Sequence, residues 1–264
     1  MENRRQNYLS LMQIPAWRLR ADAFPSAAPA QVALANDISA SLVIDAPLES
    51  APSHLDASPE ATPAAALSDV AAANDLAALG WPELRLRVAQ CTDCSLHSSR
   101  RNTVFGSGST SARLVLVGEP PGQREDESGE PFVGPAGELL GAMMAAIGLR
   151  REDVFIANIL KCRPPRNRDP EPEEVTSCTP MLTRQLELLQ PDLLVALGRV
   201  AAQHLLETKL PLGKLRGQVH RYGQRQLPLM ATYHPADLLR SPLEKRRSWE
   251  DLCAIRQMLS EARE

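Results

Sequence analysis

Four short apolar runs punctuate the later part of the chain. RLVLVGE (113–119), VFIANIL (154–160), DLLVALG (192–198) and LPLMATYHP (227–235) are apolar almost throughout and end in turn or polar residues, as strands buried on both faces of a parallel sheet do. Between them AGELLGAMMAAIG (136–148), EPEEVTSCTPMLTRQLELLQ (171–190) and RVAAQHLLET (199–208) read as helices. The final stretch, PLEKRRSWEDLCAIRQMLSEA (242–262), reads as a basic amphipathic helix with Ser241 as its cap and Pro242 in its first turn. Alternating strands and helices predict an α/β sandwich, in which ligands sit beyond the carboxyl ends of the strands. Glu119, Asn158, Gly198 and His234 all fall at such ends.

The earlier part of the chain follows no such pattern. Residues 21–78 are rich in Ala, Pro, Ser and Asp without a sustained period; a segment with so little large apolar surface cannot offset its conformational entropy and is expected to be a disordered linker. Before it, residues 1–20 contain the apolar, aromatic YLSLMQIPAWRL, read either as a docking segment for a protein partner or as a plain start-of-chain helix. Charge divides the same way. Residues 1–80 hold 4 Lys+Arg against 9 Asp+Glu, leaving 25 against 23 for the remainder, so the globular part, placed at 79–264, is mildly basic although the whole chain has net charge −3. Attraction to nucleic acid must then come from local clusters. The candidates are Arg100 and Arg101; Lys161, Arg163, Arg166 and Arg168; and Arg240, Lys245, Arg246 and Arg247.

No apolar run reaches the length of a membrane span, and the first residues lack a secretory signal pattern, so the expected compartment is the cytosol, with no membrane partner. Thiols stay reduced there, which turns attention from disulfides to metal ligation. Cys91 and Cys94 form a C-x2-C pair, and Cys162 and Cys178 follow with fifteen residues between them. Zinc ribbons usually present a second close pair; the wide second spacing favours an iron-sulfur cluster over zinc, with unliganded core cysteines as the remaining alternative. Cys253 reads as ordinary core.

The motifs GEPPGQRED, GEPFVGPAGELL, ANILKCRPPRNRDP, Arg216-Gly217 and TYHPADLLRSP, taken in order, resemble the family 4 uracil-DNA glycosylases, the iron-sulfur members of their superfamily. The resemblance runs from about Trp81 to about Leu259. It implies a three-layer α/β/α sandwich around a four-stranded parallel sheet, a [4Fe-4S] cluster on Cys91, Cys94, Cys162 and Cys178, and a monomeric, monofunctional enzyme of base excision repair that removes uracil from DNA and leaves an abasic site.

The residues suit that work. A base must leave the duplex to be read, so an aromatic platform is needed, and Phe132 occupies the family's stacking position. Uracil is told from cytosine by a side chain that both donates and accepts; Asn158 is the carboxamide at that position. Breaking the bond from N1 to C1′ develops positive charge on the sugar and negative charge on the base. Glu119 is the expected carboxylate beside the sugar and water, and His234 the expected donor to uracil O2. Gly118, Glu125 and Asn167 match supporting positions of the base site. Leu238 and Leu239 are expected to wedge into the gap left by the flipped base, or simply to be helix-start core, and Arg240 to hold a phosphate.

Pro120 departs from the alanine common in the family and removes one backbone N–H from the loop. Two rival readings remain at this stage: a catalytically weak iron-sulfur DNA-binding module that recruits repair or replication proteins, and a zinc-bound α/β domain related only in fold.

Overall fold

The computed structural model describes residues 76–261. The 1–20 segment and the 21–78 stretch as far as residue 75 lie outside the described residues; Leu76–Ala78, at the end of that stretch, form a 3-10 turn. The elements that follow are α1 (Trp81–Ala89), a 3-10 turn (Ser95–Ser98), β1 (Ser107–Gly108), β2 (Leu114–Gly118), α2 (Gln123–Ser128), α3 (Pro135–Ala146), β3 (Phe155–Asn158), α4 (Pro172–Leu189), β4 (Leu193–Leu197), α5 (Arg199–Leu205), α6 (Leu212–Leu215), β5 (Val219–Tyr222), β6 (Leu227–Thr232), α7 (Pro235–Arg240) and α8 (Lys245–Glu261). α3, α4 and α7 open on a proline, whose fixed φ and missing N–H suit a first helical position.

The strands lie in the order β1-β3-β2-β4-β6-β5. The inner four are parallel, as expected, and β1 and β5 add an antiparallel edge on either side. Neither edge strand carries an apolar run. β1 is two residues long, and β5 alternates exposed and half-buried positions. β2, β3 and β4 are buried along their whole length, and the two-residue period of a strand sorts their side chains to opposite faces. Val115, Val117, Phe155, Ala157, Leu194 and Ala196 pack on one side with α1, α4 and α5. Leu114, Leu116, Ile156, Leu193, Val195 and Met230 pack on the other with α3, α7 and α8. The result is the three-layer sandwich.

The last helix begins differently from its sequence pattern: Pro242–Glu244 form a 3-10 turn that runs into α8, and the Ser241 side chain makes no cap hydrogen bond. The loop after β2 also contains an unanticipated helix, α2, because its acids are used locally. Glu125 accepts a hydrogen bond from the Gly122 N–H at 3.1 Å and so caps that helix.

Candidate active site

From β2 the chain crosses to β3 on one side and later returns to β4 on the other, so the order of strands reverses between β2 and β4. Such a switch point leaves a crevice beyond the carboxyl ends of the strands. Register decides what meets there. Gly118 lies opposite Asn158, and Leu197 opposite Thr232, which brings the residues that follow, Glu119, Gly198 and His234, to one end of the sheet.

Two glycines permit the close approach. A Cβ on Gly198, whose φ is +97°, would stand 2.5 Å from Glu119 Oε1 and 2.9 Å from His234 Cβ. A Cβ on Gly118 would stand 2.5 Å from Phe132 Cζ and 3.3 Å from Asn158 Nδ2. Neither position tolerates a side chain without displacing a candidate site residue.

Glu119 is half buried, and its Oε1 accepts a hydrogen bond from the Val200 N–H at 3.1 Å. Burial pushes its carboxyl above the ordinary carboxylate range; the Val200 N–H opposes that shift, Asp237 adds to it, and Arg199 opposes it. His234 caps α7. Its Nδ1 accepts from the Ala236 N–H at 3.2 Å, so the ring proton resides on Nε2. Burial lowers its pKa to about 4, and the ring is a neutral donor at neutral pH.

Asn158 is buried, and its Nδ2 donates to the carbonyl oxygen of Glu119. Its Oδ1 is buried with no hydrogen-bond partner, a costly state in the interior and one that marks an acceptor held for something else. Phe132 has φ +53°, an uncommon conformation for an aromatic residue, and is clamped from both sides. Glu125 Oε1 accepts from the Val133 N–H at 3.1 Å, while Arg151 donates to the carbonyls of Pro131 and Phe132. The Phe132 ring is 5% exposed and stacks on His234 with centroids 5.2 Å apart and planes inclined by 30°. A planar base between two rings needs about 7 Å, twice a van der Waals contact of ~3.5 Å. A base stacked on this face of Phe132 therefore has to displace the imidazole.

The remaining sequence candidates separate. Asn167 lies on an exposed turn with φ +55°, and its Oδ1 accepts from Arg163 Nε at 2.7 Å. Leu238 is 1% exposed and belongs to the core, whereas Leu239 is 44% exposed; a wedging role narrows to Leu239. Arg240 is exposed and paired with Asp237. Among the basic clusters, Lys161 is fully buried, and Arg168 grips the buried Glu174 carboxylate at 2.6 and 2.9 Å. Neither is a free phosphate contact: the Lys161 charge is enclosed by the fold, and the half-exposed Arg168 is engaged by the buried Glu174 carboxylate.

Cys91, Cys94, Cys162 and Cys178 line one cavity. Arg100 donates to Cys162 Sγ at 3.1 Å, and the Lys161 N–H to Cys178 Sγ at 3.2 Å. Burial pushes the Cys178 thiol up to about 12, so without a metal it carries a proton. No group of three or more His, Cys, Asp or Glu among the described residues is arranged to hold a metal ion. Four thiols that line one space, with N–H donors aimed at two of the sulfurs, are a donor set that fits an iron-sulfur cluster.

Three contacts carry no mark in the sequence: the Val200 N–H on Glu119, Arg151 on the Phe132 loop, and Asp126. The last accepts from the Arg101 N–H at 2.9 Å, while Asn102 donates to the Asp126 carbonyl at 2.8 Å, and so α2 is tied to the segment that follows the first cysteine pair.

The arrangement defines an α/β protein with a carboxylate, a neutral imidazole, a carboxamide and an aromatic ring gathered at the switch point of an open sheet. Residues 105–253 match the sequence model of the Uracil DNA glycosylase superfamily, and the chain belongs to that superfamily. It is 49% identical to the Type-4 uracil-DNA glycosylase of Archaeoglobus fulgidus over 162 residues, 59% of this chain and 81% of that protein. It is 46% identical to the Type-4 enzyme of Thermotoga maritima over 158 residues, 59% and 81% of the two chains. With the Type-4 enzyme of Saccharolobus solfataricus the identity is 42% over 181 residues, 66% and 83%. No helix among the described residues is long and apolar enough to cross a membrane.

Proposed function

We propose that the chain is a DNA repair glycosylase that takes uracil out of DNA and hydrolyses its N-glycosidic bond, leaving an abasic site. The observation that carries the reading is the Asn158 amide, whose Nδ2 is engaged by Glu119 while its buried Oδ1 has no partner. Uracil offers an N3–H to such an acceptor. Cytosine offers a bare ring nitrogen and would leave the acceptor unpaired in a dry site, and a missing partner of that kind discriminates strongly.

In this reading Phe132 carries the flipped base, and admission of the base parts its ring from His234. As the bond from N1 to C1′ lengthens, the His234 Nε2–H donates to uracil O2 and takes up the negative charge developing on the base. A neutral imidazole serves because the proton is already on the correct nitrogen. Glu119, held by the Val200 N–H, orients the water and answers the positive charge on the sugar. One such oriented donor is worth about 10²–10³ in rate. Gly118 lets the Phe132 ring and the Asn158 amide lie against the end of β2, and Glu125 holds the Phe132 loop without touching the base.

Cys91, Cys94, Cys162 and Cys178 are assigned to a [4Fe-4S] cluster, which would cross-link the segment after α1, the loop after β3 and α4. The support is the shared cavity and the Type-4 relatives. Uracil-containing DNA is the proposed partner, with Leu239 and Arg240 toward the strand.

The test is direct. The full chain is incubated with uracil-containing single- and double-stranded oligonucleotides, and abasic sites are then cleaved with alkali. Scission at the uracil is expected, with none for a matched cytosine; no scission on either substrate, or full activity in Glu119→Ala, refutes the reading.

A further inference from the structure

Lysine is almost never fully buried unless its charge is answered. Lys161 is 1% exposed and lines the same cavity as Cys91, Cys94, Cys162 and Cys178. Its Nζ donates to the main-chain carbonyl of Asn158 at 3.2 Å, and its own N–H donates to Cys178 Sγ at 3.2 Å. One residue thus reaches the end of β3 with its side chain and the cysteine cavity with its backbone and charge.

The consequence for Asn158 is specific. Its side-chain amide is held by the Glu119 carbonyl and its main-chain carbonyl, at the end of β3, by the Lys161 ammonium, while Oδ1 is left without a partner. The consequence for the cysteines is electrostatic. Thiolates gathered in a buried cavity need a nearby cation, and Lys161, in the cavity lining, and Arg100, on Cys162 Sγ, are the cations placed there.

We propose that Lys161 is a positioning residue shared by two sites: it anchors the end of β3 that carries the base-reading Asn158, through that residue's main-chain carbonyl, and it neutralises the thiolates of Cys162 and Cys178 when they hold a cluster. The inference rests on the proposed roles of Asn158 and of the four cysteines. It explains why a lysine stands here rather than a neutral donor: the carbonyl needs only a hydrogen bond, whereas the sulfurs need charge.

The two halves are separated by two variants of the full, cluster-loaded chain. Lys161→Met removes both donor and charge, and Lys161→Gln keeps an N–H donor without the charge. Inhibition by free uracil reads Asn158, together with kcat and KM for uracil excision. Bleaching of the visible absorbance under a chelator, without DNA, reads the cysteines. Lys161→Met is expected to weaken inhibition by free uracil at least about tenfold, the loss of one fixed polar contact, and to bleach several-fold faster than wild type. Lys161→Gln is expected to bleach as fast as Lys161→Met but to recover a large part of the inhibition.

Wild-type inhibition in Lys161→Met, or equal weakening in both variants, overturns the positioning of Asn158. Wild-type bleaching in Lys161→Gln overturns the electrostatic half, and that variant decides alone if Lys161→Met does not fold. A wild-type chain that excises no uracil refutes the proposed function instead, and the bleaching comparison still judges Lys161.

Discussion

Substituting Gly198 by alanine tests the site through its geometry rather than its chemistry. The new Cβ would stand 2.5 Å from Glu119 Oε1 and 2.9 Å from His234 Cβ. Ordinary carbon contacts begin near 3.4 Å, so the carboxylate has to retreat by about 0.9 Å, and its 3.1 Å hydrogen bond from Val200 is lost or redirected. Misplacement of a reacting group by about 1 Å costs on the order of 10²-fold in rate. The backbone adds its own penalty, because φ +97° is left-handed territory that an L-residue occupies at a cost of about 1–3 kcal/mol. For a domain of this size that corresponds to a melting temperature lower by roughly 2–12 °C. Single-turnover uracil excision and a thermal melt measure the two effects. Gly213→Ala is the control, since Gly213 has a negative φ and open space around its Cβ. A Gly198→Ala chain that excises uracil within about threefold of wild type would refute the claim that Glu119 and His234 converge across this glycine.

Acid should act through Glu119 and not through His234. Burial lowers the His234 pKa to about 4 and raises the Glu119 carboxyl above its ordinary range, so single-turnover rates should fall on the acid side as Glu119 takes up a proton, and an acid limb that persists unchanged in Glu119→Gln would contradict this. Pro120→Ala restores a backbone N–H in the loop after β2 and is expected to leave excision unchanged or faster; a large loss would show that the loop needs the stiffer turn. Anaerobically prepared protein is expected to be brown with about four iron atoms per chain, and a colourless, zinc-bearing preparation would overturn the cluster.

Legibility in the sequence followed burial. The four parallel strands were visible because both of their faces are covered, which turns them into unbroken apolar runs; β5, with one side to solvent, left only QVHRY to read. Glu119, Asn158 and His234 stood out because each interrupts or ends an apolar strand, where a polar side chain is expensive without a purpose. Leu238 and Leu239 were indistinguishable as letters, and only the docking of α7 against the core assigns one inward and one outward. Lys161 looked like part of a basic loop because a sequence records charge but not enclosure. Arg151, Asp126 and the Val200 N–H act on main-chain atoms or through them, and backbone partners have no spelling.

The histidine shows what such backbone partners can achieve. Many catalytic imidazoles are oriented by a carboxylate brought from elsewhere in the chain, and that second group must be kept alongside the first. Here the orienting atom is the amide of Ala236, two residues on, fixed by the helical turn that Pro235 begins. Burial keeps the ring neutral and the Ala236 N–H stations its one proton on Nε2, so a side chain otherwise suited to sensing pH becomes a fixed dipole. The enzyme gives up a means of regulation and gains a donor that acidification of the cell does not switch off.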